Sequence, residues 1–307
     1  MEMKKIIVVG STNMDMVVKT SHIPEPGETV LGGTFFMNPG GKGANQAVAV
    51  ARLGGDVIFI SKMGNDVFGK QSSRLYDEEG IDTSFLLSDD ELPSGVALIT
   101  VDEEGENSIV VAPGANAALG TSEVEAALKD ISEKHIVLLQ LEIPLGTVHF
   151  VAQQAARNKA RVILNPAPAA TLPPDLLEYV DVLTPNETEA SILSGIKVIN
   201  LETAKQAAQA IRQLGVTNVV ITMGESGALL LEDTIFHVVP TPSVQPVDTT
   251  AAGDVFNGAL AVALSEGKTL AAAVGFACEA ASVSVTRMGA QSSIPYRNEL
   301  IARKVSI

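Results

Sequence analysis

The 307-residue sequence predicts an α/β fold: a doubly wound, mainly parallel sheet with helices on both faces, plus a small β-sheet lid. Three observations carry that expectation. Short apolar runs rich in Val, Ile and Leu alternate with longer stretches of helical periodicity, the pattern of strand–helix–strand units. The runs are continuous rather than alternating, as suits strands covered on both faces. The composition agrees, at 46% hydrophobic but only 4% aromatic and without Trp. The length suits one large α/β domain or two smaller ones, and a single domain spanning 1–307 is expected.

The chain opens on Ile6-Ile7-Val8-Val9, a buried-strand run. From Met16 to Met37 the pattern breaks into β-like pieces punctuated by Pro24, Pro26-Gly27 and Gly32-Gly33. Asn38-Pro39-Gly40-Gly41-Lys42-Gly43 then opens a helix from Ala44 to Leu53, whose apolar face is Ala44, Ala47, Val48 and Ala51. Asn45 and Gln46 are the polar residues at its start. A strand over 57–60 and a helix over 67–79 follow, then a second β-like patch over 85–112. The two patches, 16–37 and 85–112, interrupt the alternation and are expected to form the lid. A regular alternation follows: helices over 121–129 and 145–157, strands over 136–141, 161–164 and 180–184, and helices over 186–194 and 201–213. A strand over 218–222, a hairpin-like pair over 227–232 and 235–239, and helices over 252–265 and 269–285 complete the chain.

A net charge of −15 argues against a nucleic-acid surface, which needs a basic footprint. It leaves a nucleotide pocket open, because metal ions and helix dipoles can supply positive potential locally. The single cysteine, Cys278, excludes an internal disulfide and fits a reducing compartment. No apolar run reaches the length of a membrane span, and the four apolar residues after Lys5 are too few for a signal peptide. A cytoplasmic protein without a membrane partner is expected.

In an open α/β sheet, ligands bind beyond the carboxyl ends of the strands. Polar residues fall there repeatedly: Asn13 and Asp15, Glu142, Asn165, Asn186 with Glu189, and Thr222 to Gly227. Each alone can be turn or cap chemistry; five on one sheet edge argue for a site. The chain lacks the P-loop, the dinucleotide G-x-G-x-x-G after the first strand, and the G-x-S-x-G elbow. His22, His135, His149 and His237 are too scattered for a zinc site.

The sharpest stretch is Val247-Asp248-Thr249-Thr250-Ala251-Ala252-Gly253-Asp254, feeding a helix through Phe256, Ala259, Leu260 and Ala263. A Thr or Asp at a helix start is ordinarily a cap or a dipole partner. That reading leaves unexplained Gly253, which costs a helix roughly 1 kcal/mol, and the pairing of Asp248 with Asp254. The alternative is an anion site at the helix start, with Asp254 as a base for an attacking hydroxyl. Glycine-rich loops, one acid and several amides suit phosphoryl transfer to a sugar hydroxyl.

Asp248-Thr249-Thr250-Ala251-Ala252-Gly253-Asp254 resembles the C-terminal signature of the PfkB-type carbohydrate kinases of the ribokinase superfamily, and Gly40-Gly41-Lys42-Gly43-Ala44-Asn45-Gln46-Ala47 resembles the N-terminal one. Gly10 to Asp15, Pro26 to Thr29, Asn165 to Ala169, Thr184 to Glu189 and Thr286 to Gln291 extend the resemblance over nearly the whole chain, toward the ribose-phosphorylating members.

The resemblance implies a ribokinase-like fold and ATP-dependent phosphorylation of D-ribose at its 5-hydroxyl. Asn13, Asp15, Gly41, Lys42, Asn45 and Glu142 would hold the ribose, with Ala97 and Ile109 facing it from the lid. Asp254 would be the base, and the N–H groups of Ala251, Ala252 and Gly253 the anion hole. Asn186 would meet the ATP phosphates, and Glu189 would act through water on Mg²⁺. Thr222, Gly224, Ser226 and Gly227 would line the ATP site, with Gly253 at its phosphates and Asn257 and Cys278 near its adenosine end. Cys278 departs from the histidine often found there. A K⁺ activator would take ligands from Asp248, Thr250, Ser284, Arg287, Gly289 and Ser293, several through main-chain carbonyls. The lids would pair two subunits into a homodimer. The competing readings are a fructokinase, an adenosine kinase, or a non-catalytic sugar or nucleotide sensor; a dehydrogenase lacks its fingerprint.

Overall fold

The computed structural model describes residues 3–300, so the extreme ends of the expected 1–307 domain lie outside the described residues. The chain opens with β1 (Lys5–Val9), then makes β2 (Asn13–Lys19) and β3 (Thr34–Gly40) before helix α1 (Lys42–Arg52). β4 (Val57–Gly64), α2 (Val67–Glu78) and β5 (Asp82–Asp89) follow, then β6 (Gly95–Val101) and β7 (Asn107–Ala112). The alternating region comprises α3 (Thr121–Glu125), β8 (His135–Leu139), α4 (Leu145–Arg157), β9 (Arg161–Leu164), α5 (Pro174–Leu177), β10 (Val182–Leu183), α6 (Glu187–Ser194), α7 (Leu201–Gln213) and β11 (Asn218–Thr222). The hairpin β12 (Ala228–Glu232) and β13 (Ile235–Val239) precedes two long helices, α8 (Ala252–Ser265) and α9 (Leu270–Ser284).

Among the described residues the main sheet has nine strands in the order β13-β12-β11-β10-β9-β8-β1-β4-β5. Every pairing from β11 to β5 is parallel; the hairpin adds the two antiparallel strands. The chain leaves β1 toward β4 and later returns on the other side through β8, so the topological switch point lies between β1 and β8. In such sheets ligands bind beyond the carboxyl ends of the strands. Helices cover both faces. One apolar layer gathers Val48, Phe59, Val255 and Leu260 under α1, α8 and α9. The other gathers Val9, Leu139, Val151 and Ile211 under α4 and α7. Among the described residues no helix is long and apolar enough to cross a membrane.

The small sheet has the order β3-β2-β6-β7. Its boundaries differ from the expected 16–37 and 85–112. It starts at Asn13, runs through Gly40, leaves residues 20–33 outside any strand, and resumes only at Gly95. The stretch from Asp82 to Asp89 belongs instead to the main sheet, parallel to β4, because Phe85 and Leu87 pack against its apolar layer. Two smaller departures have a shared cause, shortness. The helix expected over 121–129 splits into α3 and a 3-10 turn at Ala126–Leu128, and the four-residue α5 carries no readable periodicity.

The one-sided stripe expected for α8 understates its burial. Every residue from Asp254 to Ser265 is buried, because α8 lies between the sheet, α1 and α9. The contact with α1 needs Gly258: a Cβ there would sit 2.6 Å from the Ala49 methyl and 3.0 Å from the Gln46 carbonyl oxygen. We expect Gly258→Val to destabilise the protein by about 1–3 kcal/mol through this overpacking. The readout is a lower urea midpoint with an unchanged slope. Wild-type stability in that variant would show that the two helices are free to separate here.

Candidate active site

The start of α8 lacks an ordinary side-chain cap. Ala251 occupies the cap position at φ 60°, ψ 9° with no side-chain cap bond. This left-handed conformation costs a non-glycine residue roughly 1–2 kcal/mol. Ala252 N–H donates to Thr249 O at 3.2 Å, closing the tight turn that feeds the helix. Of the three expected anion-hole donors, Ala252 is therefore already engaged. Among the described residues the N–H groups of Ala251, Gly253 and Asp254 have no protein acceptor. A Cβ on Gly253 would meet no protein atom within 4 Å. The fold itself does not require glycine there. The space it leaves open belongs to a cavity of about 220 Å³ lined by Lys42, Asn165, Asn186, Glu189, Thr222, Gly253, Asp254 and Asn257, among others.

Asp254 is buried and held at both oxygens. Asn45 Nδ2 donates to Oδ2 and Gln46 Nε2 to Oδ1, each at 2.9 Å. Burial pushes its carboxyl above the ordinary range, while Lys42 and the two amides pull the other way. This arrangement keeps a carboxylate fixed beside unpaired backbone donors. It can accept a proton, and the donors can hold developing negative charge.

The residues expected to hold a sugar lie on the lid side of Asp254. β2 carries Asn13 and Asp15, and the register puts Asp15 beside Asn38 of β3 and Ala97 of β6. Ile109 pairs with Ile99, two residues along from Ala97, so both expected lid contacts share the face of Asp15. Ala97 is buried, whereas Ile109 is 52% exposed. Burial pushes the Asp15 carboxyl up to about 7, helped by Glu142 and Asp254 and opposed by Lys42. Burial works against charge on Lys42, yet Asp254, Glu142, Glu189 and Asp15 together hold its ammonium above the usual range. Gly41, at φ 90°, brings the loop against the Asn13 N–H, where a Cβ would come within 2.7 Å. Glu142 is partly engaged by protein: its Oε2 accepts from Ser11 Oγ at 2.6 Å and from the Lys42 N–H at 3.0 Å.

On the nucleotide side, Asn186 and Glu189 form a reciprocal capping box on α6, so the structural reading of this pair holds alongside its place in the cavity. Burial raises the Glu189 carboxyl. Thr222 bridges to Asn186 across the strand ends. Gly224, Ser226 and Gly227 form the turn after β11, outside the cavity lining. Asn257 lines the cavity, but its side chain is committed: Oδ1 accepts from Thr184 Oγ1 at 2.7 Å and Nδ2 donates to Gly253 O at 2.8 Å. It stands one helical turn from the uncapped start of α8. Cys278 is a buried core residue of α9, and burial pushes its thiol up to about 11.

The loop before α8 is tied to the segment after α9. Asp248 Oδ1 accepts from Thr250 N–H at 2.9 Å and Oδ2 from Gly289 N–H at 2.8 Å. Burial opposes its charge, but the bonds from Thr250 and Gly289 hold its carboxyl below the usual range. The Val247 N–H donates to Val285 O at 2.7 Å. Ser293 Oγ donates to Ala290 O and Ser284 Oγ to Ala281 O, while Arg287 pairs with Glu299. The six expected cation-site positions thus fall on two segments that Asp248 joins. Arg287 points its charge at Glu299, which leaves only its main chain for a cation.

Sequence reasoning missed residues that act behind these. Asn116 accepts from the Thr12 N–H and donates to Thr12 O and Asn13 Oδ1, at 2.9, 2.9 and 2.8 Å. The Asn13 amide must therefore present its NH₂ away from Asn116. Gln46 and Gln140 stand behind Asp254 and are fully buried. Their signal was available: each is a polar residue inside or at the end of an otherwise apolar element. His22 and His149, paired with Glu28 and Asp175, lie outside the site, as their spacing implied.

An acid whose pKa rises on folding weakens the fold above that pKa and has no such effect below its unfolded value. For Asp15 the penalty is absent below 3.8 and complete above about 7. Asp15→Asn should therefore stabilise the protein at pH 8, by at most about 4 kcal/mol, and lose that advantage by pH 4. Denaturant titrations at the two pH values measure it. An equal effect at both would show that Asp15 ionises freely.

A family profile described as pfkB family carbohydrate kinase matches residues 3–297. A curated relative named ribokinase from Haemophilus influenzae is 43% identical over 298 residues, covering 97% of each chain. A solved ribokinase from Thermotoga maritima superposes with a TM-score of 0.89 at 44% identity, covering 97% of this chain and 98% of the other. A ribokinase of Arabidopsis thaliana complexed with ribose and ATP superposes at 0.91 with 35% identity, covering 98% of both. The uncapped start of α8, the buried Asp254 and the α1 amides thus stand within a fold and a sequence pattern shared over almost the whole length, and the chain belongs to the pfkB family of carbohydrate kinases.

Proposed function

We propose that this chain phosphorylates D-ribose at its 5-hydroxyl, using ATP and releasing ADP. The observation that carries this is a buried carboxylate, Asp254, held in place beside unpaired N–H groups at a helix start that opens on a cavity. The similarity to ribokinases over 97% of the chain supports the substrate pair. Ribose would lie between the lid and α1, with its vicinal hydroxyls on Asp15 and Asn13 and further contacts to Gly41, Lys42, Asn45 and Glu142. Ala97 and Ile109 would cover it from above. The triphosphate would lie across the cavity toward Asn186 and Thr222, with the adenosine beyond, toward the turn at Gly224 to Gly227 and α9.

In the reaction, Asp254 takes the proton of the 5-hydroxyl as that oxygen bonds to the γ-phosphorus. The bond from that phosphorus to the β–γ bridging oxygen breaks, and its electron pair leaves with ADP. The N–H groups of Ala251 and Gly253 face the phosphoryl oxygens, where charge accumulates. Lys42, ringed by four carboxylates, adds a positive charge beside them.

Two ions fit this site. Mg²⁺ is usually held by one or two carboxylates plus the substrate phosphates, and Glu189 offers one carboxylate in the cavity wall. Bound there, it would neutralise phosphate charge. A monovalent cation, K⁺ in our reading, suits the junction of Asp248, Thr250, Ser284, Arg287, Gly289 and Ser293. Both Asp248 oxygens are engaged by N–H groups, so the donors left are mainly carbonyl and hydroxyl oxygens, which are hard ligands. Such an ion would fix the loop that shapes the anion site. The reading places the enzyme in the cytoplasm, where ATP is available and Cys278 stays reduced.

A homodimer is the natural use of the lid's outer face. Met37, Met16, Leu98 and Val110 form one row across the four strands, with Phe35 and Val18 beside it. Phe35, Leu98 and Val110 are 56%, 53% and 64% exposed. A contiguous apolar face of this kind marks an interaction surface. Sedimentation should show a dimer, and Leu98→Asp should release monomer. A wild-type monomer at micromolar concentration would overturn the assignment.

The decisive assay is ADP release from MgATP with D-ribose, with and without K⁺, beside fructose, adenosine and 2-deoxy-D-ribose. We expect K⁺-dependent turnover on ribose, with 2-deoxyribose weakened because Asp15 loses a hydroxyl. Asp254→Asn should cut turnover on the order of 10²–10⁴-fold while ATP still binds. Turnover on another acceptor alone would discard ribose but keep the chemistry. No turnover on any acceptor from folded protein would favour a sensor.

A further inference from the structure

We propose that Gln46 is the positioning residue of the catalytic base, an inference that rests on the assignment of Asp254 as that base. Gln46 is fully buried on α1 and does not line the cavity, so it reaches the site only through its cavity-lining partners, Asp254 at 2.9 Å and the more weakly bonded Asn165 at 3.2 Å. Its Nε2 donates to Asp254 Oδ1 at 2.9 Å and to Asn165 Oδ1 at 3.2 Å, and its Oε1 accepts from Gln140 Nε2 at 2.6 Å.

The orientation of this amide is dictated by its neighbours. Asn165 Nδ2 donates to Thr184 O at 3.2 Å, which turns the Asn165 oxygen toward Gln46. An ionised Asp254 offers only acceptors. Two acceptors therefore face the same end of Gln46, its NH₂ must point at them, and its carbonyl oxygen is left for the Gln140 amide. A chain of buried amides running from the end of β8 thus holds one oxygen of the base. Asn45, from the same helix, holds the other. With both oxygens held, the carboxylate cannot rotate, and its remaining lone pairs stay aimed at the sugar side. The same bond supports the ionised form that must accept the proton, in a place where burial disfavours it.

Gln46→Glu keeps the shape and the acceptor for Gln140 but replaces the donor by an oxygen. Gln46→Leu removes both polar ends. The test measures kcat and both KM values from pH 5 to 9 for these variants, with Asp254→Asn in parallel. Losing the donor raises the pKa of the base. We expect kcat to fall at least tenfold in each folded variant, with KM for ribose and MgATP within about threefold. The acid limb of the kcat profile should move upward by about one pH unit. A role in folding alone would lower thermal stability yet leave that limb in place. Should Gln46→Leu fail to fold, the nearly isosteric Gln46→Glu decides. A folded variant with kcat within twofold of wild type and an unmoved acid limb overturns the proposal. Turnover that survives Asp254→Asn would overturn the base assignment itself, and the two failures are distinguishable.

Discussion

The site depends on one contact, the seating of α8 against α1. At mid-helix Gly258 lets the two backbones approach; at the amino end of α8 Asn45 and Gln46 grip the two oxygens of Asp254. A buried carboxylate is costly unless its oxygens are bonded. Here the bonding comes from a different helix, so the acid is stable only where the two helices meet. The same seating points the uncapped start of α8 into the cavity beyond the carboxyl ends of β9, β10 and β11. An uncapped helix start at which Ala251 adopts a left-handed turn is a local sacrifice of stability. It leaves backbone donors unpaired in the position where a phosphoryl group can use them.

Electrostatics around the cavity run opposite to what an anionic ligand first suggests. The chain carries a charge of −15, and Asp15, Glu142, Glu189 and Asp254 all act on Lys42. Burial pushes both Asp15 and Asp254 upward, and the neighbouring Glu142 adds to it. Positive potential for phosphates then rests on Lys42, on the backbone at α8 and on whatever cations bind with the nucleotide. Asp15 and Glu142 lie on one side of Asp254, and the unpaired N–H groups of the α8 start lie on the other. In the proposed reaction Asp254 would stand at the boundary between hydroxyl and phosphoryl group.

The four-stranded sheet is built to work between two environments. Alternation along each strand sends Asp15, Asn38 and Ala97 to one face and Met16, Met37, Leu98 and Val110 to the other. The first set is polar or small; the second is apolar, with Met37, Leu98 and Val110 exposed and Met16 half-buried. A one-residue slip in register would exchange the two sets. The pairing of β2 with both β3 and β6 therefore fixes the Asp15 face and the outer face together.

The sequence by itself determined the fold class, nearly every element of the main sheet, and the sheet edge on which polar residues gather. Those properties follow from local periodicity and from short motifs, which are written in neighbouring residues. It also made Gly253 and Asp254 conspicuous, because a glycine and an acid at that point lack a purely local explanation. Only the tertiary structure decided that β5 joins the main sheet, since its apolar residues find their partners on β4 and the core rather than in the lid. Only the fold showed that Ala252 is spent on its own turn and that Asn257 is held by Thr184. The support behind Asp254 was equally out of sight: Gln46, Gln140 and Asn165 lie on three separate elements. Their hydrogen bonds span 94 to 208 residues of chain. Spacing along a sequence carries no information about such bonds, because they exist only after the strands have set the distances between their ends.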